Sequence, residues 1–78
     1  MNRLKNLAIN DEGFSFDPLT GESFTMNETG KIIVKALIKN LPHDRICTLI
    51  TDEFEVTTEE AGRDITDYIE RLSLYKLV

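Results

Sequence analysis

Ahead of Asn27 the apolar residues of this chain recur at alternate positions, and beyond it they recur every third or fourth position. Phe14-Ser15-Phe16 and Phe24-Thr25-Met26 have the two-residue period of a half-buried strand, which puts the phenylalanines and Met26 on the buried side. Ile33, Val34, Leu37, Ile38 and Leu41 form a helical stripe instead. A chain that makes its strands first and its helices afterwards must pack the helices on one face of an antiparallel sheet. The expected fold class is therefore α+β, in the order βββααα.

Local chemistry places the boundaries. Between the two strand segments lies Asp17-Pro18-Leu19-Thr20-Gly21-Glu22. Asp17 can accept from turn amides, Pro18 presets its own φ, and Gly21 takes a left-handed conformation freely, so this is a hairpin loop. A weaker segment, Leu4–Ile9, would supply a third strand, because two strands alone are marginal. Asn27 reads as a helix N-cap with Glu28 near the positive end of the dipole. Asn40 suits a left-handed C-cap, and Pro42 stops the helix. A second helix from about His43 to Phe54 points Ile46, Leu49, Ile50 and Phe54 inward. Thr57-Thr58-Glu59-Glu60 is a capping box for a third, with Ala61, Ile65, Tyr68, Ile69 and Leu72 on its apolar face. Asp67 with Arg71 and Glu59 with Arg63 stand at ion-pair spacing along it.

Composition then excludes functions. The 78 residues suffice for one domain, 1–78, whose core is small. No segment approaches the roughly 20 apolar residues needed to span a bilayer, and Met1-Asn2-Arg3 does not lead into a secretion signal. Cys47 is the only cysteine, so no internal disulfide forms, and a cytoplasmic location is expected. His43 is the only histidine. Neither a two-histidine acid–base pair nor a four-ligand structural zinc site can be assembled. The four glycines are dispersed, so no phosphate-cradling loop exists. These absences argue against an enzyme and against a metal or organic cofactor. The net charge of −5 disfavours a polyanion, and residues 51–70 hold eight acids against Arg63 alone.

The junction Phe24-Thr25-Met26-Asn27-Glu28-Thr29-Gly30 resembles the aromatic-x-Leu-Asn-x-Thr-Gly passage of PqqD-like domains, in which the third strand runs into the first helix. The resemblance continues through Ile46, Phe54-Glu55-Val56, Asp64-Ile65, Tyr68-Ile69, Leu72 and Leu77-Val78, covering the chain from about Phe14. It departs at Met26, where leucine is usual, and at Leu74-Tyr75-Lys76, where a Lys/Arg-Gly-Leu-like ending is common. The resemblance implies a winged-helix-like peptide chaperone that binds the leader of a ribosomally made precursor. It would deliver that leader to a radical S-adenosylmethionine or other maturation enzyme. The acidic charge and the short apolar runs lead to an expectation of no nucleic acid, membrane or cofactor, and the lack of a heptad or a further apolar face to that of a monomer. The leader would add as a strand beside Glu22, Ser23, Phe24, Thr25 and Met26. Asp64, Asp67, Tyr68 and Arg71 of the third helix would form the facing wall.

Three alternatives compete. A winged helix that binds DNA would have to bring the acids of its third helix against phosphates. A carrier protein needs a serine in an Asp-Ser-Leu-like setting at a helix start, and Ser15, Ser23 and Ser73 are not so placed. A structural or adaptor subunit of a modification complex would bind the enzyme but not the leader.

Overall fold

The structure is a computed structural model that describes residues 3–78; Met1 and Asn2, part of the stretch judged not to be a secretion signal, lie outside the described residues. A 3-10 turn, Arg3–Asn6, is the first of the described elements. It is followed by β1 (Ala8–Ile9), β2 (Phe14–Phe16), β3 (Ser23–Thr25), α1 (Glu28–Ile38), α2 (His43–Glu53) and α3 (Thr58–Leu74). The sheet is antiparallel in the order β1-β2-β3, so β1 and β3 are its edges. The α+β order βββααα is as expected, and no described helix is long and apolar enough to cross a membrane.

The caps are local and follow the sequence. Asn27 accepts from the Gly30 amide at 2.7 Å, and Thr57 from the Glu60 amide at 3.1 Å. The return bond from the Glu60 side chain is not made. Asn40 has φ 58°, with the Leu41 amide bonded back to Ala36. In the hairpin, Asp17 accepts from the Leu19 amide and Gly21 has φ 80°.

Four expectations are corrected. Leu4 and Leu7 are both buried, and a strand would have sent residues three apart to opposite faces. A 3-10 turn eclipses them on one face, so only Ala8–Ile9 remains as strand. In β2 the alternation is in the opposite phase: Ser15 is wholly buried, while Phe14 and Phe16 are 50% and 41% exposed. Leu49 of α2 is exposed; Ile46 and Ile50 are buried as expected, and Cys47 is buried beside them. The ion pairs among the described residues join Arg3 to Asp17 and Glu22, Lys31 to Glu28, and Lys35 to Asp11; Asp67–Arg71 and Glu59–Arg63 do not form.

The phase of β2 has an identifiable cause. Gly13, Ser15 and Asp17 all point inward, and Asp17 is fixed there by the Arg3 guanidinium 2.6 Å away. Gly13, at φ 89°, lies so close to the Met26 carbonyl that no side chain fits. A one-residue slip would eject that buried carboxylate, and register in a sheet moves every side chain together. Ser15 is satisfied inside because its hydroxyl donates to the Phe24 carbonyl at 3.1 Å.

Two apolar clusters result. Ile33, Ala36, Ile46, Ile50, Ala61 and Ile65 bind the three helices together. Leu4, Leu7, Met26, Val34, Leu72 and Leu77 lie between helices and sheet. Tyr68 packs against both, at the junction of β3, α1 and α3.

Candidate functional site: an open strand edge beside a groove

In an antiparallel ladder, each residue directs its N–H and C=O to the same side, and successive residues alternate. The Met26 amide bonds to the Gly13 carbonyl at 2.7 Å, and the Glu22 carbonyl accepts from Asp17 at 2.8 Å. Both therefore face β2, as does Phe24, which pairs with Ser15. Ser23 and Thr25 fall between them, so their N–H and C=O groups point away from the sheet. Both residues are exposed.

Alongside that edge runs a groove of about 420 Å³ between β3 and α3. Glu22 through Asn27 form one side, and Tyr68, Arg71, Leu72, Tyr75 and Leu77 the other. Phe24 lies on the inner face and packs against Tyr75, with ring centroids 5.6 Å apart. Met26 is almost fully buried and belongs to the floor. Glu22, at the loop end, is held by Arg3 at 3.0 Å. At the other end a smaller depression of about 260 Å³ is lined by Asn27, Thr29, Asp64, Asp67, Tyr68 and Arg71. Tyr68 and Arg71 thus stand between the two spaces.

All nine residues singled out in the sequence gather here, in two sets. Seven line the main groove, while Asp64 and Asp67 line only the adjoining depression. Sequence reasoning missed Asn27, Leu72, Tyr75 and Leu77 as lining residues of the groove and Thr29 as one of the depression. Tyr75 had a usable signal, since it follows Leu72 by three and Tyr68 by seven along the helical face. Burial raises the Tyr68 phenol above its ordinary pKa, so it remains a neutral donor.

Elsewhere, the Cys47 thiol lies 3.9 Å from Nδ1 of His43, beside a shallow space lined by Thr48, Thr51 and Thr58. Among the described residues no group of three or more His, Cys, Asp or Glu side chains could hold a metal ion.

An α+β domain with an unpaired strand edge beside an apolar-floored groove has the form of a strand-accepting binding module. The family model for coenzyme PQQ synthesis protein D (PqqD) matches residues 12–78, and the chain belongs to that family. Among solved structures it is similar to a chain described as lasso peptide synthetase B1 complexed with the leader peptide. The two are 28% identical with a TM-score of 0.77, over 91% of this chain and 85% of that one. No curated protein sequence matches it.

Proposed function

We propose that this chain is a non-catalytic peptide chaperone. It binds the leader of a ribosomally made precursor by strand addition to β3 and presents it to a modifying enzyme. The observation that carries this reading is the pair of residues, Ser23 and Thr25, whose backbone groups face outward beside the groove. Membership of the PqqD family supports it, as does likeness to a structure whose description includes a leader peptide.

Side-chain anchors set the affinity of such a complex. Each backbone hydrogen bond is worth only about 0.5–1.5 kcal/mol net. Ordering a flexible leader costs on the order of 2–5 kcal/mol and offsets most of that. The remainder comes from apolar side chains entering the groove, at about 1.5–3 kcal/mol for each large one buried. A net charge of −5, with Glu22, Asp64 and Asp67 near the groove, favours a leader that is apolar and partly basic. The receiving enzyme is a radical S-adenosylmethionine protein or another maturation enzyme, and the chaperone works as a cytoplasmic monomer.

Thr25→Pro tests the edge. The substitution removes an outward N–H and leaves the ladder to β2 intact, because proline is tolerated on edge strands. Calorimetry with the synthetic leader of a short peptide frame encoded beside the gene should show binding to the parent and binding weaker by roughly threefold or more to the variant. Their circular dichroism spectra should match. Unchanged binding would rule out β3 as the docking edge.

A further inference from the structure

Two glycines lie inside helices, and their surroundings differ. A β-carbon at Gly62 of α3 would meet nothing nearer than 3.8 Å. At Gly30, in the first turn of α1, it would lie 2.6 Å from the Tyr68 hydroxyl oxygen and 2.8 and 2.9 Å from two ring carbons. Neither glycine has positive φ, so conformational freedom is not what Gly30 provides. It gives the Tyr68 ring a seat directly on the α1 backbone.

That seat matters because of where Tyr68 stands. On its inner sides the ring packs against both apolar clusters, and on its outer sides it borders the groove and the depression. A methyl group at position 30 must displace the ring, and the room open to it lies on its outer sides, towards the groove and the depression. The ring then moves into the open spaces. In an antiparallel guest, the residue opposite Phe24 shares its face of the sheet and points inward. It enters the groove among Phe24, Leu72, Tyr75 and Tyr68.

We infer that Gly30 is a specificity-determining residue of this groove. By seating Tyr68 against α1, it keeps open the space into which a bound peptide inserts one large apolar side chain opposite Phe24. This rests on the leader-binding reading and adds to it the class of residue the groove selects.

The test compares Gly30→Ala, Gly62→Ala, Tyr68→Ala and the Gly30→Ala/Tyr68→Ala double variant. The probe is a short strand-forming peptide selected by display on the parent protein, made with phenylalanine or alanine at its anchor position. Gly30→Ala should weaken the phenylalanine version at least roughly tenfold and leave the alanine version unchanged. Gly62→Ala should alter neither. In the Tyr68→Ala background, Gly30→Ala should have no further effect on binding. Equal weakening of both peptides, or the same loss in the absence of the Tyr68 ring, overturns the inference and leaves the leader-binding reading standing. If no selected peptide protects the Ser23 and Thr25 amides, that reading fails, and melting temperature alone decides the seat. Alanine normally stabilises a helix relative to glycine. Gly62→Ala should therefore raise the midpoint, and Gly30→Ala should raise it only once the ring is gone. A rise in both backgrounds refutes the seat.

Discussion

The Arg3 guanidinium and the Asp17 carboxylate meet at 2.6 Å, and the carboxylate is wholly withdrawn from solvent. The pair ties the opening 3-10 turn to the β2–β3 loop, and the same guanidinium extends to Glu22 at the end of the groove. The bond to Arg3 holds the Asp17 pKa below the ordinary carboxylate value, with help from the Leu19 amide.

A depressed native pKa fixes the sign of the pH dependence. The unfolded chain takes up its proton near pH ~3.9, while the folded protein still resists. The stabilisation is therefore complete above that pH and is lost as pH falls through the native value. Urea midpoints measured from pH 7 downward should decline below about pH 4. In Asp17→Asn that part of the decline should disappear, and the variant should be less stable than the parent at neutral pH.

Replacing Phe14 and Phe16 together by threonine should change stability by only about 0.5–1 kcal/mol, as for surface sites. Core phenylalanines would cost about 3–5 kcal/mol each on truncation. Ser15→Ala, by contrast, removes a buried hydrogen bond to Phe24 and should cost about 1 kcal/mol. Chemical denaturation of the two variants checks which face of β2 is inside.

Lys76 has φ 60°, the left-handed conformation that ends α3 while the Leu77 amide bonds back to Leu72. A non-glycine residue there is strained by about 1 kcal/mol. Lys76→Gly should recover much of that, seen as a rise in melting temperature without change at the groove.

Native-state hydrogen exchange should separate the β3 amides. Ser23 and Thr25 should exchange rapidly in the free protein and slowly with a bound peptide. Phe24, already in the ladder, should be protected in both states. Rapid exchange at Phe24 in the free protein would contradict the pairing described.

What could be read from the sequence was local. Asn27, Asn40, Thr57, Asp17 and Gly21 act on amides or on their own φ, so residue type and position were enough. The phase of β2 was not local. Phe-Ser-Phe states a period of two but not which member faces in, and that is decided by the ion pair between Asp17 and Arg3, fourteen residues before it. Leu4 and Leu7 carry a related ambiguity, since a single apolar pair is too short to establish a period. The gathering of the nine site residues followed from the family resemblance. Their division between groove and depression depends on where the Tyr68 ring rests, which no spacing reveals.

The alternation along β3 has a bearing on any strand that docks there. Residues opposite Phe24 and its like-facing neighbours disappear into the domain, while those opposite Ser23 and Thr25 come out on the side that carries Phe14 and Phe16. A captured peptide is thus read from beneath and displayed from above. A third molecule could tell the loaded domain from the empty one by touching that outer surface alone.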